Sequence, residues 1–154
     1  MLMTQKLLRL LGVGIFALAF FLPAVRESRG IVHGGWECAE VTLAMTPEMV
    51  MGIGEALKNQ AFGSILLTLS GWVNPLVVIY LVVCILNRWV RVRRLIAGAI
   101  VVCVVTSWAT LAMCELTPLI GHFLWIGGIA LILAPEIVKR KAEKASEASP
   151  SLKP

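Results

Sequence analysis

Long apolar runs alternate with short polar connections along this chain, and the runs share one length. The first covers residues 7–25, the second 64–86, the third 95–114 and the fourth 117–138. Each holds 19 to 23 residues, close to the ~20 that let a helix at 1.5 Å per residue cross ~30 Å of hydrocarbon. None alternates apolar and polar with period two, the pattern that a membrane barrel requires. Lipid leaves backbone N–H and C=O groups no partner outside their own segment, so the runs predict helices. The expected fold is all-α: a four-helix transmembrane bundle occupying residues 1–138, with a long connection over 26–62 and a basic tail over 139–154.

Basic residues cluster at the ends of these runs. Lys6 and Arg9 sit at the start, Arg88, Arg91, Arg93 and Arg94 between the second and third runs, and Lys139, Arg140, Lys141, Lys144 and Lys153 in the tail. The opposite side receives Arg26, Arg29 and Lys58, together with Glu27, Glu37, Glu40, Glu48, Glu55 and Glu115. Eleven against three places both termini in the cytoplasm by the positive-inside rule. An even number of spans agrees with that orientation. A basic start followed by an apolar run is also the form of a signal peptide. Leu22, three before a cut after Ala24, is not the small residue such a site needs, so an uncleaved first helix is expected.

Composition strengthens the membrane reading. The apolar fraction is 58% and the mean hydropathy +0.87, against 45–50% apolar in soluble domains. The net charge of +5 would suggest a nucleic-acid partner if it formed a stripe on a soluble surface; segregated as it is, it describes topology. The expected partner is the lipid bilayer, in a bacterial inner membrane, with a homo-oligomer or larger membrane complex as the next level.

Candidate chemistry is sparse. The four cysteines form no CxxC and no Cys/His cluster, so no metal or cofactor is expected. Cys84 and Cys103 fall inside apolar runs and read as small buried residues. Cys38, in "GGWECAE", and Cys114 both fall on the outer side, where thiols oxidise. A disulfide clasping the long connection to the bundle is expected, with two independent thiols as the alternative. Within that connection, "MTPEMVMGIGEALKNQ" has the capping pattern of a short amphipathic helix: Thr46 at the N-cap, Pro47 first, Glu48 near the positive end. In the second span, Pro75 cannot donate to the carbonyl of Gly71, which predicts a kink, and Asn74 needs a partner on another helix or on that carbonyl. Ser70 and Thr68 give the same span a weak polar face. Gly121, Gly127 and Gly128, with Gly98, offer close helix approach. Trp36, Cys38, Glu115 and His122 gather toward the outer rim. An acid beside a histidine is a conceivable proton-transfer pair, but its spacing fits no catalytic motif, and catalysis is not expected. The tail's Lys, Ser, Ala, Glu and Pro content predicts disorder after a turn or two of helix.

The words "FLPAV" at 21–25, "GWECA" at 35–39, "NPL" at 74–76 and "GHFLW" at 121–125 resemble a pattern in small bacterial integral membrane proteins of no assigned activity. His122 stands where that pattern usually has an aromatic residue. The resemblance implies a four-span bacterial membrane protein and brings no catalytic residue or cofactor. Disulfide-generating quinone reductases need a redox CxxC and small multidrug exporters a Glu in the first span, both missing here, and membrane glutathione transferases need buried Arg and Glu within their helices, which are not expected here. The expected role is non-enzymatic, as a structural, accessory or assembly subunit. A small oligomeric transporter or channel is the alternative.

Overall fold

A computed structural model describes residues 2–44, 62–86 and 89–148. The amphipathic helix expected over 45–60 lies outside the described residues. In chain order the elements are α1 (Leu2–Ala19), β1 (Pro23–Arg26), β2 (Val32–Gly34), α2 (35–44), α3 (Phe62–Gly71), α4 (Val73–Leu86), α5 (Val90–Met113), β3 (Thr117–Pro118) and α6 (Ile120–Ala148). The protein is mostly helical. Among the described residues, three helical stretches are long and apolar enough to cross a membrane: Leu69–Leu86, Val90–Met113 and Ile120–Lys139. That suits a multi-pass membrane protein.

Two boundaries differ from the expected ones for clear physical reasons. The first apolar run does not continue as helix to residue 25. The amides of Phe20, Phe21 and Leu22 bond the carbonyls three residues back, which tightens the last turn, and Pro23 blocks further α geometry in the residue before it. The chain then enters a small sheet that the all-α reading lacked. Its strand order is β2-β1-β3, with Val25 opposite His33 and Pro118, and Arg26 opposite Val32 and Thr117. The β1–β2 turn closes by a bond from the Gly30 amide to the Glu27 carbonyl, at 2.9 Å. Gly30 has φ +86°, which glycine adopts without strain. Pro118 is tolerated because β3 is an edge strand.

The second run is broken at Trp72 between α3 and α4. The break falls beside Gly71, whose carbonyl Pro75 cannot bond. Pro75 itself sits in the first turn of α4, where its missing N–H costs nothing. α5 ends on Cys114, and the Leu116 amide reaches back to the Leu111 carbonyl at 2.9 Å. This is a Schellman closure. It forces Glu115 to φ +53°, a conformation that costs a non-glycine residue about 1 kcal/mol. α6 runs through Pro135 to Ala148, so residues 139–148 are helical where disorder was expected beyond a turn or two.

α1 lies along α6, while α3 and α4 pack on α5. The α1–α6 contact is made by backbone. A Cβ on Gly128 would lie 2.6 Å from the Phe16 amide nitrogen, and one on Gly12 would lie 2.8 Å from the Gly128 carbonyl oxygen. The central core joins Phe16 of α1, Val73, Val77 and Tyr80 of α4, Ile100 and Cys103 of α5, and Ile129, Ile132 and Leu133 of α6. The α4 positions recur at i, i+4 and i+7, one face of a helix.

At the end holding the N-terminus of α5, Arg93 and Glu136 form a buried ion pair. Arg93 Nε is 2.8 Å from Glu136 Oε2, and its Nη2 donates to Oε1 at 3.3 Å. Arg94 Nε adds a longer contact of 3.6 Å. Both members of the main pair have side chains about one-tenth exposed. Losing one partner strands the other charge, a loss of about 3–5 kcal/mol.

Two predictions follow from this packing. Gly128→Ala should destabilise the protein by about 1–3 kcal/mol through overpacking. The adjacent Gly127→Ala should be neutral or stabilising by about 0.5–1 kcal/mol, because nothing lies within 4 Å of the added methyl. Thermal unfolding in one detergent compares the two; equal effects would contradict the backbone contact. Glu136→Ala should lower the unfolding temperature far more than the pair replacement Arg93→Met with Glu136→Leu, which removes both charges together.

Candidate functional site

The end of the bundle bearing the sheet holds a cavity of about 350 Å³. Its apolar wall comes from the end of α1, from β1 and from α2, through Ala19, Phe20, Ala24, Val25 and Ala39. Its floor is polar and comes from the spans: Ser70, Asn74, Ser107, Thr110, His122 and Trp125. Ser107 lies six residues inside the end of α5, so the floor is about 9 Å below it at 1.5 Å per residue. Close backbone contacts hold the wall in place. A Cβ on Gly35 would lie 2.5 Å from the Ala19 carbonyl oxygen, and one on Gly121 would lie 2.7 Å from that of Pro23.

Glu27, His33 and Glu37 stand at the mouth. His33 Nε2 donates to Glu27 Oε1 at 2.7 Å, and His33 Nδ1 is 3.7 Å from Glu37 Oε2. Glu37 also accepts the Gly34 amide at 3.0 Å. Its position three residues after the cap makes this one half of a capping box for α2.

On the floor, Trp125 Nε1 donates to Asn74 Oδ1 at 2.9 Å. This supplies Asn74 with its interhelical partner, a bond worth about 1 kcal/mol in a membrane. His122 is 8% exposed. Its ring stacks on Trp125 at 5.5 Å and meets Trp108 edge-on at 5.3 Å, and its Nε2 is buried with no hydrogen-bond partner. Ser107 and Thr110 donate their hydroxyl protons to Val104 and Thr106 carbonyls of their own helix. Phe20, Ala39 and Asn74 also line a second, lateral groove, which continues along α1 and α4 past Phe16, Val78 and Ile79.

The other rim candidates separate. His122 and Cys38 line the cavity, whereas Glu115 and Cys114 are exposed on the turn after α5 and do not. Trp36 is exposed and meets the edge of Phe20 at 6.4 Å. The expected Cys38–Cys114 disulfide is not supported: both thiols are free, and no pair of cysteines is near. The two thiols sit in different surroundings. Cys38 turns inward and packs with Ala24, Val25 and Leu111, while Cys114 caps α5 and faces outward. Burial first, then the Glu37 carboxylate, pushes the Cys38 thiol above its ordinary range, against a smaller opposing effect of a backbone hydrogen bond.

Sequence reasoning missed the Glu27–His33–Glu37 cluster and the Arg93–Glu136 pair. The first had one available signal, the His33 to Glu37 spacing of four. The second joins residues 43 apart and had none. Among the described residues no cluster of three or more His, Cys, Asp or Glu is arranged to hold a metal. No protein family, no characterised protein and no solved structure matches this chain.

Alkylation tests the thiol assignment. Protein unfolded without reductant should take up four labels, at Cys38, Cys84, Cys103 and Cys114. In the folded protein Cys114 should label first. The Cys38 rate should still be climbing by about tenfold per pH unit at pH 8, as expected for a thiol whose reactive thiolate is a minor species. Mass mapping that found residues 38 and 114 in one crosslinked peptide would overturn it.

Proposed function

We propose that the chain is a four-span protein of the bacterial cytoplasmic membrane, both termini inside, serving as a non-enzymatic accessory or assembly subunit. α1 provides the fourth span. Lys6, Arg9, Arg93, Arg94 and Lys139 belong to one end of the helices and the acidic cavity mouth to the other, which supports this orientation.

The observation that carries the accessory role is the layer between the two polar ends. Val73, Val77, Tyr80, Ile100 and Ile132 are fully buried there. A solute in the cavity therefore meets packed side chains rather than a polar route through the protomer. Outward, α4 and α5 expose Val78, Val82, Ile85, Val101, Val102 and Val105, faces suited to lipid or to the helix of a partner. The second reading, a small oligomeric transporter, is favoured by the cavity itself, which is large enough for a small solute.

Mild-detergent purification from native membranes, with stoichiometry measured by mass spectrometry and confirmed by reciprocal tagging, separates the two. An accessory subunit should return one membrane protein at fixed ratio. Recovery of a homo-oligomer alone, with solute uptake in liposomes, would overturn the accessory role. External protease cutting a tag at either terminus in intact cells would overturn the orientation.

A further inference from the structure

We propose that the rim cavity binds a small organic cation: an ammonium group carried on an apolar, preferably aryl, frame. The inference goes beyond both roles above and stands on the cavity alone.

Charge is the first argument. The mouth carries two carboxylates, Glu27 and Glu37, and among the described residues that line the cavity there is no Lys or Arg. Exposed Arg26, although adjacent in sequence to Glu27, does not line it. His33 lies against both, 2.7 Å from Glu27 and 3.7 Å from Glu37, but even a protonated imidazole offsets only one of the two carboxylates, so an anionic ligand would meet net repulsion at the mouth.

Hydrogen-bond polarity is the second. Ser107 and Thr110 have spent their protons on their own helix, so what they offer inward is lone pairs. An ammonium N–H is the complementary donor. His122 adds a stronger acceptor: a neutral imidazole has one unprotonated ring nitrogen. His122 is more than nine-tenths buried, lines the floor, and has Nε2 unpartnered. A buried polar atom without a partner costs about 1–3 kcal/mol. Nε2 has almost no accessible surface in this conformation, so a donor arriving with the ligand would remove that cost once the ring turned toward the cavity.

The third is aromatic. Trp125, held by its bond to Asn74, and Phe20 present rings to the same volume. Aromatic faces attract cations and pack against aryl groups. The volume of about 350 Å³ is at the lower end of small-molecule sites, which fits a compact amine better than a lipid.

The test uses the full-length protein in nanodiscs, where both faces are open to solution and orientation is irrelevant. Three probes of like size differ in charge: phenethylammonium, 2-phenylethanol and 3-phenylpropionate. Calorimetry and tryptophan fluorescence should show saturable binding of the ammonium, about tenfold tighter than the alcohol given a partly desolvated cation on an aromatic wall, and no binding of the carboxylate. Glu27→Gln, Glu37→Gln and His122→Phe should each weaken the ammonium, while Glu115→Gln, exposed and off the cavity, should leave it unchanged. Equal affinity for ammonium and alcohol, or binding of the carboxylate, would overturn the proposal. The probe series needs only the native chain, so a variant that fails to fold does not blunt it. Failure of the partner or orientation experiments would leave this result standing.

Discussion

Backbone-to-backbone contact between α1 and the elements around it determines the sheet end of the molecule. In lipid, helices gain little by hiding apolar side chains from a solvent that is itself apolar, so close approach and hydrogen bonding must hold them together. Gly12 and Gly128 let α1 and α6 touch along their main chains, Gly121 brings the start of α6 under Pro23, and Gly35 brings α2 against Ala19. These contacts place Ala19, Phe20, Ala24 and Val25 as one wall of the cavity. A methyl at any of the four glycines meets backbone atoms that cannot swing aside, so the wall and the bundle share one set of tolerances.

Polar groups in this fold are held to its two ends and satisfied differently at each. At one, Arg93, Arg94 and Glu136 neutralise charge by direct pairing. At the other, Asn74 is satisfied by Trp125 and the mouth by His33, while His122 keeps a buried nitrogen without a partner. Native proteins leave few such atoms unpaired. Arg9 Nε and Tyr80 Oη are also buried without a partner, so such atoms are not confined to the cavity end.

The helical part of this architecture was legible because apolar runs of about 20 residues have little choice of structure in lipid. Its interruptions were less so. "FLPAV" continues the apolar run by composition, yet Pro23 and the tightening turn before it turn the chain into a strand. Strands of two to four residues carry too little alternation to be read. The kink was readable because Pro75 removes one identifiable bond. The disulfide expectation failed for an instructive reason: topology sorts cysteines by side of the membrane but does not bring them within reach, and Cys38 and Cys114 are not near each other. Of the candidate site, Asn74 was visible as a polar residue inside a span and His122 as a residue of the outer rim, whereas the carboxylates at the mouth gained meaning once the β1–β2 turn and α2 brought them around His33.

Phe20, Ala39 and Asn74 belong both to the cavity and to the lateral groove along α1 and α4. The partition between these two spaces is therefore a single layer of side chains. A change of side-chain volume at any of these three positions would alter both spaces at once.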